Sequence, residues 1–481
     1  MADARRLTAP IAVACVAFTS LVVRAVASGS HAAPRYFPDE YLYTALARSL
    51  GDHGRPLVRG TPGDFPALLE PLLAAPLQAL FSPEAAYRLA QIENALFMSV
   101  AAVPAYLLAR RLSLAPWYAA GCAVFAVAIP DLLYSAYILA DAVAYPLVLS
   151  AILAGVATVD RPSPRSQLAF LALALVTAFA RVQYVVLPAA FVVAALAVDR
   201  RRAVRAQRLP LILLALALLA ILGVGVGRLF GFYSGVTDLW DGTRVAKWIA
   251  TDLFLVAMSV GVVLVPGAVI ALVKARGRTE TAFAAFAGTL VLALLTQAAL
   301  FPRFQERYLF PVLPLIPIAF GLYLKNGRAA PRAAVLIAVV LFAASARLPL
   351  SGYTAASGKT DSPFLFAVAR LEDAIGVANA SLLVAAAAAV GAAAAVAVAR
   401  WGGGRVALAM TIAFVATASA GAAAKDRSFS RLARRDLAPD RSWVDATRLG
   451  DVTLVQTVGS PASPALQQLF FNRSKIGRAY V

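Results

Sequence analysis

Residues 29–83 hold the densest polar chemistry of the chain, with Asp39, Glu40, Tyr43, Arg48, Asp52, His53, Arg55, Arg59, Asp64 and Glu70. Pro38 followed by Asp39-Glu40 reads as a helix start, because a proline fits the first turn and carboxylates favour the positive end of the helix dipole. A helix over 39–50 sets Tyr43 one turn after Asp39, and a second, apolar helix over 67–82 carries Glu70 in its first turn. Carboxylates at such positions can simply cap helices in water. Glu70 is the exception, since it lies in an otherwise apolar stretch, where an acid needs a partner or a function. His53 could join a metal site, although a lone loop histidine is more often just solvated.

The elements that must position these groups are membrane spans. Of the 481 residues, 61% are hydrophobic and 14% charged, with a mean hydropathy of +0.76. A soluble domain is about half apolar and a quarter charged. The apolar residues fall in runs close to the roughly 20 residues that cross hydrocarbon. Spans are expected at 8–28, 84–109, 114–131, 139–159, 167–181, 183–198, 209–230, 251–273, 281–300, 309–324, 333–347, 379–399 and 405–424. Arg181 and Gln183 divide 167–198 into two. With Met1 inside, short loops beginning near Arg110, Asp160, Asp199, Lys274, Lys325 and Arg400 carry the Arg and Lys expected of the cytoplasmic face. The longer segments 29–83, 231–250, 348–378 and 425–481 then lie outside. The expectation is an all-α polytopic protein of about 13 transmembrane helices, N-terminus cytoplasmic and C-terminus extracytoplasmic. Residues 1–424 form the membrane domain and 425–481 a short outer segment that packs on it, with one strand over Asp451–Thr457. The N-terminal run resembles a signal peptide but is read as a retained first span, because Arg24 interrupts it.

That threading brings several membrane-edge charges to the level of Asp39: Arg181, Arg303 and Arg307, with Arg244 and Lys247 before the span at 251. Such residues either snorkel to headgroups or hold a partner. Asp141 opens a span beside Tyr134 and Tyr137, as an N-cap or as the polar wall of a cavity. Tyr36, Phe37, Tyr41 and Tyr43 form an interfacial belt or a surface for stacking on a sugar. Ala-rich stretches such as Ala385–Val398 allow close helix packing.

Pro38-Asp39-Glu40-x-x-Tyr43, following the first span, resembles the start of the GT-C glycosyltransferases, in particular the branch of protein O-mannosyltransferases and the lipid A aminoarabinose transferase. Further similar stretches are Phe65-Pro66-x-Leu68-x-Glu70-Pro71, Tyr87-Arg88 with Glu93-Asn94, and Tyr106 to Arg111. Ala180-Arg181-x-Gln183 and Glu306-Arg307-Tyr308 to Pro314 complete the set, which covers most of residues 10–325. The resemblance implies a GT-C-like fold and an inverting transfer of a hexosyl or pentosyl sugar from a polyprenyl phosphate to a glycan, lipid or protein acceptor on the outer face of the plasma membrane. It implies Asp39 as general base with Glu40 as its alternative, Glu70 and Asp141 positioning the acceptor or a metal, and Tyr43 contacting the sugar. Arg181, Arg307, Arg303 and Arg244 would bind the donor phosphate. Asp39 and Glu70 would hold a divalent metal (Mg, Mn or Zn) if one is used. Pro71 departs from the pattern, standing where a basic residue sometimes follows that glutamate.

Two other classes compete. A transporter or flippase for a lipid or anionic substrate would need paired broken helices at the midplane, and the Gly223/Gly225/Gly227 run has no counterpart. An assembly scaffold would leave the loop carboxylates apart. The net charge of +19 is carried by loop clusters such as Arg200-Arg201-Arg202, with no soluble basic domain for nucleic acid. Cys15 and Cys122 sit in separate apolar runs and make no metal or disulfide pattern. Asn472-Arg473-Ser474 matches an N-glycosylation sequon.

Overall fold

The computed structural model describes residues 2–35, 38–63, 65–225, 231, 235, 239–347, 361–377, 380–435, 440–448, 450–455, 462–472 and 475–480. The expectations placed on Tyr36, Phe37, Asp64, Gly227, Arg473 and Ser474 lie outside them. The chain is built of helices, and the strands among the described residues are two short pairs.

Helix α1 (Ala2–Ser28) leads into the polar loop, where α2 (Asp39–His53) and α3 (Leu69–Leu80) pack together around the small hairpin β1 (Leu57–Val58) and β2 (Thr61–Pro62). Both helices form where the sequence places them. Asp39 and Glu40 fill the first turn of α2, and Gly54 closes it at φ 65°, a conformation glycine adopts without a Cβ penalty. The bundle continues with α4 (Pro83–Val100), α5 (Ala102–Arg111) and α6 (Pro116–Ala128), then a 3-10 turn over Pro130–Ala136. Next come α7 (Asp141–Asp160), α8 (Pro164–Ala180), a 3-10 turn over Val182–Val186, and α9 (Leu187–Val198). Ser82 and Ser163 cap α4 and α8 ahead of prolines at the first turn. The expected division at Arg181 is present: α8 stops there and the chain turns before α9.

Helices α10 (Arg200–Ala206), α11 (Arg208–Val224), α12 (Gly242–Ser259), α13 (Val265–Val273) and α14 (Gly277–Ala299) follow. The expected span 251–273 is not one helix. Gly261 and Val262 both take positive φ, 75° and 65°, and this ends α12 before α13 begins. The short α15 (Glu306–Leu309) and α16 (Leu315–Lys325) run on into α17 (Pro331–Arg347), α18 (Pro363–Ile375), α19 (Ser381–Trp401) and α20 (Gly404–Arg435). The last of these was expected to stop at 424 and continues to Arg435, because Asp426 is held in the interior by His31 and by Arg35 and Tyr137, at 2.7 and 2.5 Å.

Among the described residues, seven helices are long and apolar enough to cross a membrane, or nine if each of two bent pairs is one span. Three shorter apolar helices, at Pro164–Ala180, Val182–Val198 and Pro331–Ser345, occupy places where the sequence led us to expect spans.

The final segment comprises α21 (Trp443–Ala446), β3 (Val452–Val455), α22 (Ala462–Phe471) and β4 (Ile476–Tyr480). One strand was expected there, and it has a parallel partner in β4. The segment packs over α2. Arg48 stacks 5.0 Å from the Phe470 ring, Arg59 donates to the Ile476 carbonyl at 2.7 Å, and Arg441 donates to the Ala32 carbonyl at 2.7 Å.

Close packing by small residues is visible where α19 crosses the α12–α13 break. A Cβ on Gly391 would come within 2.5 Å of the Gly261 carbonyl oxygen, a backbone atom that cannot rotate away. Gly391→Ala should therefore destabilise the fold by about 1–3 kcal/mol, the usual cost of overpacking. The check is a lowered midpoint of thermal unfolding in detergent.

Candidate active site

Four charged side chains from four places in the chain meet at one end of the bundle. Asp39 comes from the first turn of α2 and Asp141 from the first turn of α7. Arg181 is the residue that ends α8, and Arg307 lies in α15. Arg307 donates through Nε and Nη2 to Asp141 Oδ2, at 2.9 and 2.7 Å. Its Nη2 also lies 2.7 Å from Asp39 Oδ2. Arg181 pairs with the other carboxylate oxygen of Asp141. Aromatic faces support both guanidinium groups: Tyr308 lies 4.9 Å from that of Arg181 and Tyr134 5.9 Å from that of Arg307.

Exposure separates the members. The side chain of Asp141 is fully buried and those of Arg307 and Arg181 are 7% and 11% exposed, whereas Asp39 is 29% exposed. Two aspartates balance two arginines, so the cluster is neutral as a set. Asp39 is the member that solvent or a ligand can reach.

The remaining expected residues are placed elsewhere. Glu40, the alternative base, lies apart from the cluster. It points into the interior, where it accepts from the Arg35 backbone N–H (2.7 Å), the Ile138 backbone N–H (3.1 Å) and the Tyr87 hydroxyl (3.2 Å). Its work is to clamp α2 to the loop before it and to α4. Tyr43 is buried with its ring edge-on to Phe65 at 5.4 Å, so it offers no free face to a sugar. Arg303 pairs with Asp361 at 3.2 Å, and Arg244 folds back on the Leu239 carbonyl; neither contact reaches the cluster. His53 is exposed in the last turn of α2.

Glu70 is buried in the first turn of α3, and its Oε2 has no hydrogen-bond partner among the described residues. Burial pushes its carboxyl from the ordinary 4.5 up to about 8, with Glu93 and Glu40 adding to the rise. It is therefore mostly protonated at neutral pH. Among the described residues, no group of three or more His, Cys, Asp and Glu is placed to share a metal ion. Of the two expected ligands, Asp39 is paired with Arg307 and Glu70 is buried in the first turn of α3. No step below is routed through a metal.

Sequence reasoning overlooked several buried carboxylates, and three bear on the interior near the site. These are Asp131 in the 3-10 turn before α7, Asp252 in α12 and Asp426 in α20, while Glu306 was noted only as the neighbour of Arg307. Each lies at the edge of an apolar run, and that position was the available signal.

No family model matches the chain, and no curated protein does. Among solved structures, it is similar to ArnT from Cupriavidus metallidurans bound to undecaprenyl phosphate. The TM-score is 0.54 and the identity 16%, over 96% of this chain and 85% of that one. The apo form of the same protein matches with a TM-score of 0.54 over 98% of this chain and 85% of that one, again at 16% identity. An oligosaccharyltransferase of Archaeoglobus fulgidus, in complex with Zn and sulfate, aligns at a TM-score of 0.34 and 12% identity over 96% and 62% of the two chains. That last value is too low to support an argument. ArnT, the lipid A aminoarabinose transferase, is a GT-C glycosyltransferase, so the chain has the GT-C fold expected from its motifs.

Removing Asp141 would leave two guanidinium groups buried without their shared carboxylate, a loss that typically costs about 3–5 kcal/mol. Asp141→Asn should accordingly lower the unfolding midpoint far more than Asp39→Asn, as differential scanning fluorimetry can check. The Glu70 carboxyl gives a second prediction. Its folded form holds a proton that the unfolded chain releases near pH 4.5, so its contribution to stability is complete below that pH and is lost as pH rises towards about 8. Glu70→Gln should remove that decline and leave the protein nearly unchanged at acid pH, read as unfolding midpoints across the pH range.

Proposed function

From the GT-C fold and the neutral Asp–Arg cluster, we propose that this protein transfers a sugar from a polyprenyl-phosphate donor to an acceptor hydroxyl, with Asp39 as general base and Arg307 and Arg181 as the phosphate-binding cations. The observation that carries this reading is the sharing of Arg307 between Asp39 and Asp141, with Asp39 alone open to a ligand. ArnT, with the same fold, binds undecaprenyl phosphate, which supports a lipid-phosphate donor here as well.

The chemistry follows from the charges. A donor phosphate approaching the cluster competes for the Arg307 guanidinium, and the carboxylate that gives way is the exposed one, Asp39. The exchange places a phosphate oxygen on Arg307 and leaves Asp39 beside it, free to accept a proton. The acceptor oxygen attacks the anomeric carbon from the face opposite the phosphate, and the bond from that carbon to the phosphate oxygen breaks. The hydroxyl proton goes to Asp39 and the electron pair to the leaving phosphate. Arg307 and Arg181 then meet the negative charge that grows there. Charged hydrogen bonds of this kind contribute about 1.5–3 kcal/mol each.

Asp141 keeps both arginines aimed at one place and never needs to leave them. By this reading the site faces the outer leaflet of the plasma membrane, where such donors present their sugars, and the protein spans that membrane with its C-terminal segment over the site.

Asp39→Asn keeps the shape and removes the proton acceptor. Loss of a general base typically lowers turnover by about 10²–10⁴-fold. Sugar release from a radiolabelled polyprenyl-phosphate donor, measured for the purified wild type and variant in nanodiscs, is the test. Equal rates would remove Asp39 from the role of base, and absence of release from the wild type across polyprenyl-phosphate hexoses and pentoses would sink the reading itself.

A further inference from the structure

Directly behind Arg307 lies a second pair of acids. Glu306, the residue before it, is fully buried. Its Oε2 accepts from the Ser362 hydroxyl at 2.6 Å and from the Phe364 backbone N–H at 2.9 Å, both at the start of α18. Its Oε1 has no donor among the described residues. Asp131, in the Pro130–Ala136 turn, is also fully buried, and apart from its own backbone N–H no described donor reaches its carboxylate. The two carboxyl groups face one another within hydrogen-bonding reach.

Neither acid forms an ion pair with a described arginine or lysine, so two ionised carboxylates would confront each other without a compensating charge. The groups around them supply none. Ser259 and Asp252 approach Glu306 from α12, and Asp252 is a further acid, not a compensating cation. Tyr145 of α7 faces Asp131. The Ser362 hydroxyl and the Phe364 N–H are neutral donors, and the Arg307 guanidinium is committed to Asp39 and Asp141. One proton placed between the two acids turns the repulsion into a hydrogen bond, with the protonated carboxyl donating to the ionised one.

That bond joins the parts that aim Arg307. The turn holding Asp131 also carries Tyr134, whose ring supports the Arg307 guanidinium. The other acid is covalently next to Arg307 and is tied to the start of α18.

We propose that Asp131 and Glu306 share a single proton and act as a positioning pair for Arg307, so that the pair loosens and sugar transfer fails when that proton is removed at alkaline pH. The inference rests on the proposed transfer reaction for its activity readout and on the geometry of the pair for everything else.

Glu306→Gln provides the test. The glutamine amide donates to Asp131 at any pH, and its carbonyl oxygen still accepts from Ser362 and Phe364. Wild-type transfer should fall about tenfold per pH unit beyond an alkaline limb, with a parallel fall in the unfolding midpoint. In Glu306→Gln both limbs should be absent while turnover at neutral pH is retained. Wild-type and variant profiles that fall together would overturn the proposal. Asp131→Asn, whose amide donates to Glu306, is the second variant and should behave alike. The two readings fail separately: a wild type that transfers no sugar defeats the functional reading, while the unfolding midpoints still decide whether a proton is shared. Should neither variant fold, infrared titration of the Glu70→Gln/Asp252→Asn protein, which lacks the other two buried carboxyls that titrate in this range, decides. Loss of a protonated carboxyl band on going from neutral to alkaline pH supports the shared proton, and its absence at neutral pH overturns it.

Discussion

A guanidinium group buried at the edge of a bilayer needs partners of its own, and for Arg307 and Arg181 these are carboxylates, a requirement from which the arrangement of this site follows. Arg307 needs Asp141, and Asp141 has capacity for a second cation, which Arg181 supplies. The three belong to α15, the first turn of α7 and the residue that ends α8. Their mutual satisfaction fixes the relation of those elements to one another, and burying any one alone would cost more than the packing around it could return. The breaks in the helices at these places follow from the same need. Arg181 ends α8 and the chain turns through a short 3-10 segment, and Arg307 sits in a single helical turn between longer apolar runs.

The polar loop is fastened around this cluster by a different set of bonds. Glu40 is spent on three donors from the loop, α4 and the segment after the 3-10 turn. Beyond it, Asp426 gathers His31, Arg35 and Tyr137, tying the end of α20 to the same loop. Gln91 and Asn94 of α4 bond to the carbonyls of Ala136 and Tyr137, satisfying backbone of the buried turn before α7. With Glu40 held inward, the adjacent residue Asp39 is turned the other way, since neighbours on a helix do not share a face. The Asp-Glu pair thus divides into one structural acid and one reachable acid.

Much of this was legible in the sequence, for physical reasons. The apolar runs announced the helices, because membrane length is set by the hydrocarbon, and Pro38-Asp39-Glu40 announced α2 through its dipole and cap preferences. Asp39, Asp141, Arg181 and Arg307 were each recognisable as charges at the ends of apolar runs, where a partner is required. What the sequence could not show was the pairing, since residues 39, 141, 181 and 307 meet only through tertiary packing. The inward turn of Glu40 and Tyr43 was hidden for a related reason: their types suit a site, and α2 turns them into the core. The break between α12 and α13 was hidden because Val262 at positive φ is a tertiary compromise that no local preference signals. Asp131 was overlooked as a polar residue at the tail of an apolar run, and its meaning appears only when Glu306 is opposite it.

The two carboxylates on Arg307 are not equivalent, and their difference decides how an anionic ligand enters. An ion pair between solvent-exposed groups is worth only about 0–1 kcal/mol, and partial solvation of one member moves a pair towards that end. Separating a fully buried pair leaves an uncompensated charge at a cost of about 3–5 kcal/mol. Asp39 belongs to the first kind and Asp141 to the second. A phosphate at the cluster therefore displaces Asp39 while Asp141 stays, and Arg307 keeps two anionic partners throughout the exchange. Neutrality of the empty site is in this sense a preparation for binding: the resident carboxylate holds the guanidinium in position until an anion replaces it. The displaced group remains tethered to the first turn of α2, beside the ligand that displaced it. A carboxylate released at that place, with its former cation occupied by phosphate, is where an acceptor proton would need to go.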